Sequence, residues 1–183
     1  MPSDMTTGID LKALIRTVPD FPKPGVQFRD ITTLLKRGDA FHAVVEQFAK
    51  VYRGPPVDKI AAIESRGFIV GSALAYALKV GFVPIRKQGK LPAENFGQDY
   101  ALEYGSDRLE IHRDAIARGE RVLLVDDLIA TGGTAEAALK LIGMAGGAVV
   151  GCAFIVDLPD LGGRARLAKL GYPVLALCQF PGQ

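Results

Sequence analysis

Asp126 and Asp127 stand side by side after the apolar run Val122 to Val125, and Ala130-Thr131-Gly132-Gly133-Thr134 follows a few residues later. Adjacent carboxylates suit hydroxyl groups and repel phosphate. Glycines bracketed by threonines suit phosphate, because glycine backbone can turn successive N–H groups to one side. A helix beginning at Ala135 adds unpaired N–H groups and the positive end of its dipole, and the hydroxyls of Thr131 and Thr134 add donors. A phosphate held beside a diol describes a ribose 5-phosphate. Plainer readings exist: acids also end a strand in nucleotide hydrolases, and Gly-Gly before a helix can be only a tight turn. No G-x-x-x-x-G-K-[ST] and no G-x-G-x-x-G occurs in the chain, which removes the usual ATPase and dinucleotide partners of such a strand.

The elements that position these residues read as follows. An unbroken apolar run is the mark of a strand buried on both faces, as in a parallel sheet covered by helices. Ligands of such sheets bind beyond the carboxyl ends of the strands. Lys59 to Ile63 is a second such strand, and Glu64-Ser65-Arg66-Gly67 follows it. The planar fork of Arg66 matches phosphate oxygens, while a purely structural Arg at a helix start would oppose the dipole. Gly67 is expected to let backbone approach a ligand before a helix over Phe68 to Leu78. Val83 to Ile85 is a further strand, and Arg86, Lys87 and Lys90 follow it as either a solvated turn or a phosphate clamp.

Elsewhere the punctuation is local. Ile9 to Arg16 carries short helical periodicity, and Pro22 to Gly25 forms a rigid turn. Asp39 is expected to cap a helix whose apolar face is Phe41, Val44, Val45, Phe48 and Tyr52. His42 falls outside that face and reads as solvated. Leu91 to Asp107 has no sustained apolar period and contains Pro92, Gly97 and Gly105, so it reads as a long functional loop, a lid. Leu109 to Arg113 is a returning strand, and Ala135 to Ala145 a helix stopped by Gly146-Gly147. Ala148 to Val156, Gly162 to Leu170 and Val174 to Cys178 are strand, helix and strand. This order predicts one domain over residues 1–183, an α/β fold with an open, mainly parallel sheet and helices on both faces.

The chain has 183 residues, 49% of them apolar, and a formal charge of +2. That is enough for one sizeable core, and too weakly basic to advertise nucleic acid binding. No stretch is long and apolar enough to cross a membrane, and the first residues lack the regions of a signal peptide, so a soluble cytoplasmic protein is expected. Cys152 and Cys178 lie in apolar segments without metal-ligand or C-x-x-C spacing, and read as core residues.

The central block resembles the phosphoribosyl diphosphate signature of type I phosphoribosyltransferases. Asp20 to Ile31, Glu64 to Phe68, Arg86 to Pro92 and Leu102 to Gly105 are similar, in order and over nearly the whole chain, to successive blocks of the adenine phosphoribosyltransferases. The resemblance implies the type I fold, with an N-terminal hood from about residue 1 to 35 and a flexible lid loop from about 91 to 107. It implies transfer of phosphoribose from 5-phosphoribosyl 1-diphosphate to adenine, giving AMP and diphosphate in purine salvage. Phe28 would stack on the base, the backbone of Gln27 and Arg29 would read its edge, and Leu158 would pack against it. Arg66, Lys87 and Lys90 would hold diphosphate. Glu103, beside Tyr104 in the lid, would accept the proton that adenine loses. Mg²⁺ would be held mainly by substrate oxygens and water, without direct protein ligands. A homodimer is the family habit. Two rival readings share the central block: a sister enzyme for xanthine, hypoxanthine or orotate, and a regulatory domain that binds phosphoribosyl diphosphate without chemistry.

Overall fold

The computed structural model describes residues 8–102 and 105–182. An antiparallel ribbon comes first, β1 (Arg16–Pro19) against β2 (Gln27–Asp30), with the expected turn at Pro22 to Gly25 between them. Where helical periodicity ran from Ile9 to Arg16, only a 3-10 turn over Lys12–Leu14 forms. There follow α1 (Thr32–Leu35), α2 (Gly38–Tyr52), β3 (Lys59–Ile63), α3 (Arg66–Leu78), β4 (Gly81–Lys87), β5 (Asn95–Leu102) and β6 (Gly105–His112). The chain then runs through β7 (Arg121–Ile129), α4 (Gly133–Met144), β8 (Ala148–Asp157), α5 (Gly163–Lys169) and β9 (Val174–Gln179).

Seven strands form one sheet in the order β5-β6-β4-β3-β7-β8-β9. The β4-β3-β7-β8-β9 part is parallel, and β6 and β5 add to it antiparallel. Alternate residues of the central strands go to opposite faces, as the two-residue period of a strand requires. Ile60, Ala62, Leu123, Val125, Ala153 and Ile155 meet Val44 and Phe48 of α2 and Val70 and Leu74 of α3. Ala61, Ile63, Leu124, Cys152 and Phe154 face Ala138, Leu141 and Ile142 of α4 and Leu167 of α5. Both faces are therefore covered by helices, which is why these strands are apolar without alternation. Burial pushes the Cys152 thiol up to about 12 and the Cys178 thiol to about 11, so both remain inert core thiols.

Two local expectations are corrected. Residues 95–102 and 105–112 form an antiparallel hairpin rather than a loop without regular structure, with Asn95 opposite His112 and Leu102 opposite Gly105. The period was hidden because β5 is half-exposed and polar. Only Phe96 and Tyr100 of β5 pack on the core, whereas Leu109 and Ile111 of β6 are fully buried. Asp39 is not the helix cap. The cap position of α2 is Arg37, without a side-chain bond, and Asp39 lies inside the first turn with its carboxylate bonded to Arg37 at 2.5 and 3.1 Å. There it still complements the positive end of the helix dipole.

Candidate active site

The two acids sit within β7 rather than after it. Pairing with β3 stops at Val125, opposite Ala62, but pairing with β8 continues through Asp126 to Ile129. The acids thus project where one neighbouring strand has ended and the other has not, at the carboxyl edge of the parallel strands. Asp127 is buried and accepts a hydrogen bond from Arg66 Nε at 2.5 Å. Asp126 Oδ1 accepts the Asp127 amide at 2.9 Å. Burial, and then the charge of Asp127, raise the Asp126 carboxyl well above the usual carboxylate range. Gly67 serves this pair directly: a Cβ there would lie 2.7 Å from Asp126 Oδ1 and 3.3 Å from its Cα. The close approach that Gly67 permits in this structure is between α3 and β7.

Ala130 to Thr134 carry the chain from β7 into α4. Gly132 caps α4 with φ +83° and no side-chain cap bond, so the first amides of the helix have no partner from within it. The loop is held from behind by α5. Gly163 N donates to Ala130 O at 2.9 Å, and a Cβ on Gly163 would stand 2.3 Å from that oxygen. Gly163 was not foreseen as part of the site, and its only signal in sequence is the Gly-Gly doublet at 162–163. A cavity of about 170 Å³ is lined by Arg66 and by Asp126 through Ala135, so the acids, the Gly-rich turn and one cation surround a single space.

A second cavity, of about 400 Å³, shares Arg66, Ala130, Thr131 and Thr134 with the first and adds Gln27, Phe28, Arg29 and Leu158. The ribbon therefore roofs the space beside the acids, at a size that suits a small heterocycle and sugar. One edge of β2 is paired with β1 and the other has no strand partner among the described residues, which leaves alternate peptide groups of Gln27 to Arg29 for a ligand. Phe28 stacks edge-on against Phe21 at 5.2 Å, and the Arg66 guanidinium lies 5.2 Å from the Phe28 ring centre. Leu128, Ala101, Leu102 and Leu161 also line this cavity. None of the four carries a chemical signal in sequence.

The remaining cations are less central. Lys87 ends β4; its amide donates to Glu64 Oε1, and its Nζ lies 2.8 Å from Asp107 Oδ2. That contact raises the Lys87 pKa and lowers that of Asp107. Lys90 is exposed, closes a turn onto the Lys87 carbonyl, and lines neither cavity. Glu103 and Tyr104 lie outside the described residues. Among the described residues no group of three or more His, Cys, Asp or Glu could hold a metal.

Residues 32–169 match the family model of the phosphoribosyl transferase domain. The chain is 63% identical over 172 residues to the adenine phosphoribosyltransferase of Methylobacillus flagellatus, covering 94% of this chain and 98% of that protein. The crystal structure of the adenine phosphoribosyltransferase from Thermoanaerobacter pseudethanolicus superimposes with a TM-score of 0.89 at 51% identity, over 93% of this chain and 98% of that one. The Saccharomyces cerevisiae enzyme, solved with adenine and an imino-altritol bisphosphate, superimposes with a TM-score of 0.86 at 40% identity, over 92% and 96% of the two chains. With the phosphoribosyl transferase domain matched over residues 32–169 and such relatives matched over nearly their whole length, the chain belongs to the adenine phosphoribosyltransferase family.

Proposed function

We propose that this chain transfers the phosphoribosyl group of 5-phosphoribosyl 1-diphosphate to adenine, releasing diphosphate and forming AMP. The observation that carries the reading is the junction of two cavities at Arg66, Ala130, Thr131 and Thr134. One is walled by acids and unpartnered amides, the other by an aromatic ring, an apolar side chain and a free strand edge. Ala130 to Thr134 bind the 5-phosphate, and Asp126 and Asp127 hold the ribose diol. Arg66 and Lys87 draw off the diphosphate, with Lys90 at the rim. Phe28 and Leu158 pack on adenine while the peptide groups of Gln27 and Arg29 read its edge. Glu103 accepts the proton from the base, and Tyr104 lies beside it. Catalysis is chiefly positioning of two reactants and stabilisation of separating charge.

In this reading Mg²⁺ is held mostly by substrate oxygens and water, beside Asp126 and Asp127. Bound there, the ion would neutralise diphosphate charge. The ribbon and preceding residues act as the hood over the base, and the hairpin region from about 91 to 107 acts as the lid that excludes water. Two copies associate through α2 and α3, whose outer faces form an apolar groove containing Phe41, Val45 and Ile69, with Tyr76 88% exposed. No helix among the described residues is long and apolar enough to cross a membrane. Free Cys152 and Cys178 support a reducing, cytoplasmic setting.

Diphosphate release from phosphoribosyl diphosphate, measured with adenine and in turn with hypoxanthine, xanthine and orotate, tests the reading. Release with adenine at least about a hundredfold faster than with the others is expected, since unmatched donors and acceptors in a buried slot are strongly penalised. Release with none of the bases would replace the enzyme with an effector-binding domain.

A further inference from the structure

Lys87 is held by side chains that the reaction, as proposed, does not use. Asp107 Oδ2 on β6 accepts from Lys87 Nζ at 2.8 Å and from the Tyr100 hydroxyl on β5 at 3.2 Å. The second oxygen, Asp107 Oδ1, accepts the Arg108 amide at 2.8 Å, so the carboxylate is fixed by its own strand. The cation at the end of β4 is thereby tied to both strands of the hairpin. An ammonium has three donors, but the one bonded to a carboxylate is not free for another anion, and an anion that takes that donor competes with the carboxylate.

We propose that Asp107 is a positioning residue that sets the affinity for diphosphate: it holds Lys87 until diphosphate arrives and must then release it. The inference rests on the assignment of Lys87 as a diphosphate ligand. Diphosphate wins the exchange because it brings more charge than one carboxylate and is bound by Arg66 as well. Its affinity is nevertheless lowered by whatever the Lys87–Asp107 pair is worth. The Lys87 side chain is 54% exposed and that of Asp107 25%, so the pair is worth little in water and the effect is about two- to fivefold.

Asp107→Asn tests this, because its amide oxygen still accepts from the Arg108 amide and its NH2 can donate to the Tyr100 oxygen while the charge is gone. The KM for phosphoribosyl diphosphate and the inhibition constant for inorganic diphosphate, both with Mg²⁺ at low ionic strength, are expected to fall about two- to fivefold. The KM for adenine stays as it was. The gain shrinks as salt is added, because the competing charges are screened. In a Lys87→Met background the same substitution has little effect, which separates the ion pair from any general change in fold. Constants that rise or do not move, or an equal fall without Lys87, overturn the inference. Diphosphate release by the wild-type chain with adenine is read in parallel. Its absence defeats the proposed reaction, whereas its presence with unmoved constants defeats only the role given to Asp107.

Discussion

Asp126 illustrates how a site residue conflicts with stability. Its carboxyl is pushed upward first by burial and then by the neighbouring acid, so ionising it opposes folding. A group whose folded pKa lies above its unfolded one stabilises the fold below the unfolded value, here 3.8, and that contribution is lost as pH rises through the folded value. Asp126→Asn is therefore expected to melt higher than wild type at neutral pH, by about 2–4 °C for each kcal/mol relieved, with the difference closing at acid pH. Turnover should drop sharply in the same variant, since the ribose diol loses a charged acceptor. Thermal scans across pH, paired with diphosphate release, check both halves. The acid pair was legible in sequence because two adjacent carboxylates after an apolar run have few structural uses. Asp107 was not, because an Asp in a polar stretch has no signature until Lys87 and Tyr100 are brought to it by strand pairing.

Among the elements, the β1–β2 ribbon depends on one carboxylate. Asp30 accepts from the Thr32 amide at 2.9 Å, from the Thr32 hydroxyl at 2.6 Å and from Arg16 Nε at 3.1 Å. These bonds, the Thr32 hydroxyl foremost, lower its pKa from 3.8 to about 2. A depressed carboxyl stabilises the fold above its unfolded pKa and loses that contribution as pH falls through the folded one, so the window is from 3.8 down to about 2. Asp30→Ala should cost about 1–2 kcal/mol at pH 7, in the range of a lost cap with its ion pair. Urea unfolding at pH 7 and again near pH 2, where the variant and wild type should converge, measures it. The ribbon itself was missed in sequence: Arg16 to Pro19 is short and mostly exposed, so nothing in its pattern separates strand from turn. The central strands were read correctly for the opposite reason, since burial on both faces leaves no polar position to blur them.

For the molecule as a whole, sequence order was enough to give a mainly parallel sheet clothed on both sides, because each parallel crossover needs a helix and the helices came in the right places. What it did not give was the antiparallel extension of β6 and β5, which depends on a polar hairpin finding the free edge of β4. The exposed α2–α3 face bears on assembly. If two copies meet there, Tyr76→Asp should yield monomers in sedimentation velocity at concentrations where wild type is dimeric. An unchanged monomeric wild type would remove α2 and α3 as the contact.

The way the hairpin is fastened has a mechanical outcome. Its near end is nailed by Leu109 and Ile111 in the core and by the pairing of Arg86 with Glu110 and Lys87 with Leu109. Its far end, residues 99–102 and 105–107, meets the rest through the Lys87–Asp107 ion pair and through Tyr100, which packs at the edge of the core. Wetting polar contacts is cheap and wetting the core is not. The far end is therefore expected to open before the near end does, and faster hydrogen exchange at the Ala101 and Ser106 amides than at those of Leu109 and Ile111 is the measurement that checks it.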